Sequence, residues 1–302
     1  MRSPSWLVGL FALAASGADS ASAQALRRVD LELVLAVDVS RSMDEDEHTL
    51  QRNGYVEAFR HKDVVNALMS GPEGRIAVTY MEWAGDYQPR QIIGWTIIDS
   101  EKSAHAFADE LAAVPIYGER RTSISTALYE AARLIEENDL ASHRQVIDVS
   151  GDGANNAGPP VEEARDAVLK KDIVINGLPI LLNQGRAGGY GGYGIDIDHL
   201  DRYYKHCVIG GPAAFIAPVF NLNQLSATIR KKLVLEIAGL ETDIDTMPGT
   251  ARVQFAEAET PPGVTRVQLK LPTEKTDCFA GEKARRSREG GFGGFGGFPG
   301  DR

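Results

Sequence analysis

Apolar, strand-like runs alternate with helix-like stretches along this chain, and that alternation restricts the fold more than any other feature. The runs are Leu31 to Val37, Ile76 to Tyr80, Ile92 to Ile98, Val146 to Val149, Ile173 to Ile180 and Phe215 to Phe220. Between several of them apolar residues recur at helical spacing: Ala104, Phe107, Ala108 and Leu111; Ile124, Leu128, Ala131, Ala132 and Ile135; Val161, Ala164 and Val168; and Leu222, Leu225, Ile229 and Leu233. Strands that alternate with helices predict an α/β fold with a doubly wound, mostly parallel sheet and helices on both faces. The connection from Ala84 to Tyr87 is too short for a crossover helix. The second and third runs are therefore expected to pair antiparallel, placing one antiparallel strand at the sheet edge.

In such a sheet the ligand crevice lies at the carboxyl ends of the strands. The first run ends there in Asp38-Val39-Ser40-Arg41-Ser42, one carboxylate and two hydroxyls spaced two apart. These are hard oxygen donors of the kind that hold a divalent cation. Two further elements fall at matching places. Arg121-Thr122-Ser123 opens the helical stripe that begins at Ile124, and Ser150-Gly151-Asp152-Gly153 follows the apolar run Val146 to Val149. Taken singly, each such element reads as a cap or a turn. In this order around one sheet they define a site. The acidic run Asp44-Glu45-Asp46-Glu47 reads as a helix start favoured by the macrodipole.

With those residues the chain resembles the von Willebrand factor type A domain, whose metal-ion-dependent adhesion site uses Asp-x-Ser-x-Ser, a Thr and an Asp-Gly turn. The resemblance spans roughly residues 30–239, and IDVSGDGANN (147–156) with VIGGPAAF (208–215) is similar to a branch of exported bacterial proteins of undefined function. It implies that Asp38, Ser40, Ser42, Thr122 and Asp152 hold the ion, with the two serines binding directly. The ion implied is Mg2+, with Mn2+ and Ca2+ as alternatives. Neutral hydroxyls leave the cation electrophilic, so an Asp or Glu carboxylate of a partner protein completes its coordination. Where many members carry Gly-Gly before the Thr, this chain has Arg120-Arg121, read either as attractors of an acidic partner or as ordinary surface charges. Asp148 and Ser150 share a strand face with Asp152. Asp148 either orients the metal loops or belongs to a separate buried network.

Residues 1–23 read as a secretory signal, with Arg2, an apolar stretch from Trp6 to Ala15, and small residues at Ala21-Ser22-Ala23. The expected product is periplasmic or secreted, starts at Gln24 and has no membrane-spanning segment. Its net charge of -10 argues against nucleic acid. Cys207 and Cys278 could pair in an oxidising compartment or both stay free. Residues 24–239 are read as the type A-like domain, 240–289 as an extension with a short hairpin around Pro261-Pro262-Gly263, and 290–302 as a Gly/Phe-rich disordered tail. The Gly/Tyr-rich stretch from Asn183 to Gly194 reads as a surface loop.

An enzyme is not expected. Asp38 also fits the nucleophile position of aspartate-dependent phosphatases, but those need a second Asp two residues on, and here that residue is Ser40. There is no Gly-x-Ser-x-Gly elbow, no Gly-Lys-Ser/Thr phosphate loop and no His-x-x-x-His pair. The alternative to a binding module is a cell-envelope component in which the metal serves stability alone.

Overall fold

The computed structural model describes residues 26–85, 89–182, 199–239 and 276–291. Five strands form one sheet: β1 (Arg27–Asp38), β2 (Ile76–Trp83), β3 (Arg90–Ile98), β4 (Leu140–Gly151) and β5 (Val174–Pro179). Their spatial order is β3-β2-β1-β4-β5. β1 pairs parallel with β2 and β4, β4 pairs parallel with β5, and β2 pairs antiparallel with β3. The fold class and the antiparallel edge agree with the sequence reading.

β1 is central, and its burial follows from alternation. Leu31, Leu33, Leu35 and Val37 enter one apolar layer while Val34 and Ala36 enter the other. The first layer is covered by α1 (Glu45–Arg60), α2 (Lys62–Leu68), α3 (Glu101–Ala113) and α7 (Leu225–Ala238), which contribute Tyr55, Phe59, Leu68, Phe107, Leu111, Ile229 and Leu233. The second is covered by α4 (Ile124–Glu136) and α5 (Val161–Leu169), with α6 (Leu200–Tyr203) and the π-helical turn Tyr204–Val208 beside them. Asp44 caps α1 in a reciprocal capping box with Glu47, so the acidic run is a helix start.

Two features differ from the sequence reading, and the cysteine pair resolves an alternative left open there. The run Phe215 to Phe220 forms isolated bridges, Ile216 to Gly177 of β5 and Val219 to Ile180 just beyond it, and not a sixth strand. Ala217 and Val219 donate to the Gly177 and Pro179 carbonyls, but Pro179 has no N–H to donate to Ala217 in return, which interrupts the ladder. Cys207 and Cys278 are joined, with Cα atoms 5.5 Å apart. Beyond that bridge lies α8 (Ala280–Gly291), a helix that runs through the start of the expected tail. Its sequence AGEKARRSREGG carries no apolar stripe to betray it. The proposed signal, the Gly/Tyr-rich loop, the hairpin around Pro261 and the remainder of the tail lie outside the described residues.

Candidate metal centre

The carboxyl end of β1 is where the chain turns from its neighbour β2 on one side to β4 on the other, so the loops after β1 and β4 open around a common crevice. Asp38 ends β1 and is fully buried. Its Oδ1 accepts from the Ser40 backbone N–H at 2.7 Å, which folds the 38–42 segment back on itself. The Ser40 and Ser42 hydroxyls lie 2.8 Å apart, and Ser42 Oγ donates to Asp152 Oδ1 at 2.6 Å. Thr122 immediately precedes Ser123, the N-cap of α4, and its Oγ1 lies against the Asp152-Gly153 turn. Asp38, Ser40, Ser42 and Asp152 are thus joined by hydrogen bonds, and Thr122 lies beside the Asp152-Gly153 turn.

Neighbouring segments fix these loops. Val39 and Arg41 exchange backbone hydrogen bonds with Glu119, which zips the serine loop to the segment leading into Thr122. His48 of α1 contacts the Ser40 carbonyl oxygen through Nε2 at 3.0 Å, and burial pushes its imidazole toward the neutral form. Asn156 Oδ1 accepts from the Thr122 N–H at 3.0 Å while the Asn156 N–H donates to the Thr122 carbonyl at 2.8 Å. Asn155 Oδ1 accepts from the Ser125 N–H at 3.1 Å. His48, Asn155 and Asn156 carry no ligand pattern, and the two asparagines were visible in the sequence only as the end of GDGANN.

The electrostatics call for a cation. Burial pushes the Asp38 carboxyl well above the usual carboxylate range, and the charge of Asp152 pushes it further the same way. The N–H groups of Ser40 and Asp152 pull down against this but are outweighed. Asp38 Oδ2 is buried with no hydrogen-bond partner. Such an orphan costs free energy unless a counter-charge meets it. Among the described residues no group of three or more His, Cys, Asp or Glu gathers, so the donors here are two carboxylates and three hydroxyls. That is an oxygen set suited to a divalent cation. Asp38, Ser40, Ser42, Thr122 and Asp152 are the residues that would hold it.

Gly151 is required by crowding. A Cβ there would lie 2.8 Å from Asp38 Oδ2 and 2.9 Å from the Tyr204 hydroxyl. Gly151→Ala is expected to displace the Asp38 carboxylate and weaken divalent cation binding by at least ~10-fold, the scale at which perturbed ligand orientation acts; titration calorimetry with MnCl2 checks it.

The remaining candidates separate. Ser150 is buried and its hydroxyl accepts from Gln51 of α1 at 3.0 Å, beside the site but turned to the helix. Asp148 lies in a buried network: Lys232 of α7 stands 2.6 Å from its Oδ1 and also pairs with Glu236, to which Asn176 donates at 2.9 Å. Of the two readings of Asp148, the separate network is the observed one. Arg120 and Arg121 are exposed, and Arg121 adopts a left-handed conformation with φ of 70°. Both side chains engage neighbouring groups.

Against this geometry the comparisons are informative. The family model described as Protein of unknown function (DUF1194) matches residues 28–241. The chain belongs to that family. No curated protein matches the sequence. Among solved structures, the pilus adhesin SpaC from Lactobacillus rhamnosus GG, in an open conformation, has a TM-score of 0.50 at 11% identity, over 69% of this chain and 30% of that one. Proximal thread matrix protein 1 from the mussel byssus, with a zinc-occupied MIDAS motif, has a TM-score of 0.48 at 16% identity over 69% and 46%. A von Willebrand factor type A protein from Catenulispora acidiphila has a TM-score of 0.47 at 13% identity over 69% and 43%. The chain thus spans less than half the length of each of these proteins. Its fold is of the von Willebrand factor type A kind, as the sheet order and the site-bearing loops indicate.

Proposed function

We propose that this protein is a cation-dependent protein-binding module, in which the Asp38 site holds Mg2+ and an Asp or Glu carboxylate of a partner completes the ion's coordination. The observation that carries the reading is the orphaned, buried Asp38 Oδ2 set beside Asp152 and the two serine hydroxyls. A dication there would offset the cost of the buried Asp38 charge beside Asp152. The hydroxyl donors leave it with charge to share with an incoming acid.

The rim supports an acidic partner. Arg41, Tyr117, Arg120 and Arg121 are exposed on the segments that frame the site, and Arg41 Nε is held by the Gly118 carbonyl at 3.2 Å. On a chain with net charge -10, these three arginines, set beside the exposed Glu119, help steer a negative partner toward the ion. Replacing Arg120 and Arg121 together by Ala is expected to lower the association rate about 10-fold at low ionic strength and to flatten its salt dependence; surface plasmon resonance across a salt series measures both.

The protein acts as an exported binding module and not as an enzyme, with residues 1–23 removed. Among the described residues no helix is long and apolar enough to cross a membrane, and the Cys207–Cys278 bridge suits an oxidising compartment. The test is affinity capture from the native extracellular fraction, with Mg2+ against chelator and parent chain against Asp38→Ala. A partner retained only by the parent chain with Mg2+ is the expected result. Retention that ignores both chelator and substitution would make the metal structural.

A further inference from the structure

The polar helix α8 is bound to the candidate metal loop. α8 begins beyond the 28–241 region that the family model covers. With no apolar stripe, it must be anchored by other means. The Cys207–Cys278 disulfide joins the residues just before it to the buried π-helical turn. Gly281 sits so close to the Asn155 carbonyl that a Cβ would collide with that backbone. Glu282 Oε1 accepts from Asn155 Nδ2 at 2.8 Å, and Arg285 Nη1 donates to the Asn156 carbonyl at 2.7 Å. The Asn155 N–H in turn donates to the Tyr203 hydroxyl at 3.2 Å, one residue before the turn that carries Cys207.

These contacts end on the same two asparagines that hold Thr122 and the start of α4. A continuous chain of bonds therefore runs from the disulfide through α8 to Asn155 and Asn156, and from them to a ligand candidate on either side: Thr122 by direct hydrogen bonds, and Asp152 three residues earlier along the loop. We propose that α8 is a disulfide-tethered clamp on the 152–156 loop, with Glu282 and Arg285 as positioning residues that set the affinity of the site for divalent cations. The inference rests on the cation site proposed above and adds its regulation.

The physical reason lies in the tether. A helix docked by a few polar bonds pays the ordering entropy alone unless a covalent link keeps it at high effective concentration. Reduction removes that link. Two electrons and two protons pass from an external dithiol, which closes to its own disulfide, and Cys207 and Cys278 are left as thiols. Cys278 is the more exposed residue of the pair, half-buried where Cys207 is fully buried. Once α8 leaves, Asn155 loses Glu282 and Asn156 loses Arg285, Asn155 is left with Pro159, Ser125 and Tyr203 and Asn156 with Thr122, and the loosened loop lets the Thr122 and Asp152 oxygens relax from ligand geometry.

The test uses the full chain and MnCl2 in titration calorimetry, on the oxidised protein, on protein reduced, alkylated and freed of reductant, and on Glu282→Ala/Arg285→Ala with the disulfide intact. The oxidised chain is expected to bind, the reduced chain to bind 10- to 100-fold more weakly, and the double variant to weaken in the same direction. Amide hydrogen exchange at Asn155, Asn156 and Ala157 should rise in step while the far-ultraviolet circular dichroism of the domain holds. Equal affinity in the oxidised chain and the double variant overturns the clamp and leaves the cation site standing, even if reduction itself unfolds the protein. No binding by the oxidised chain defeats the cation site, and the affinity claim falls with it.

Discussion

In chelator, Asp38→Asn is expected to melt no lower than the parent chain, and on addition of Mg2+ only the parent should gain stability. The crossing follows from the two faces of the same carboxylate. Without a cation, Asp38 is a fully buried acid with one unpartnered oxygen and a like charge at Asp152, so neutralising it relieves a cost of about 1–3 kcal/mol. Asn keeps the acceptor that the Ser40 N–H requires, so the loop retains its shape. With the cation at about 100 times its dissociation constant, the parent gains about 2.7 kcal/mol by mass action. For a domain of this size that is a rise of roughly 5–10 °C in melting temperature, readable by differential scanning calorimetry. A variant that responds to Mg2+ like the parent would place the ion elsewhere, and the binding reading would lose its foundation. Partner capture should drop to background in the same variant, since the carboxylate bridge runs through the ion.

Much of this site was legible because its chemistry is written in local runs. Asp38 stands out since a carboxylate ends an otherwise apolar strand, and the Asp-x-Ser-x-Ser spacing needs no tertiary knowledge. The central strands were equally plain, because a parallel strand covered on both faces reads as an unbroken apolar run. Legibility fails where structure is held by contacts distant in sequence. α8 owes its place to a disulfide spanning 71 residues and to two asparagines more than a hundred residues upstream, none of which leaves a periodic mark. The sixth run read as a strand on composition, yet Pro179 on the facing strand lacks the N–H that would complete the ladder, and only bridges form. Asp148 shows the same limit from the other side: strand alternation placed it correctly on the face of Ser150, but its partner Lys232 lies on a helix 84 positions later, which no local pattern discloses.

That partner carries the largest expected loss of stability. Lys232 and Glu236 are one helical turn apart on α7 and fully buried, and they meet Asp148 from β4 and Asn176 from β5. The network thus pins the last helix to two strands of the sheet. One ammonium faces two carboxylates, and burial, then the charge of Asp148, raise the Glu236 pKa to about 7. Lys232→Met removes the cation and strands Asp148, a loss expected to reach about 3–5 kcal/mol in urea unfolding. The pH dependence has a definite sign. Below about 4.5 Glu236 is protonated in both folded and unfolded chains; between 4.5 and 7 the folded chain alone holds the proton. The contribution of this group therefore falls as pH rises through that window and is flat above it, by an amount on the order of 3 kcal/mol. Glu236→Gln, which keeps an acceptor for Lys232 without the titrating proton, should flatten that slope while remaining folded at pH 8. A parent chain whose urea midpoint is level from pH 5 to 8 in chelator would show that the two carboxylates share their charge differently.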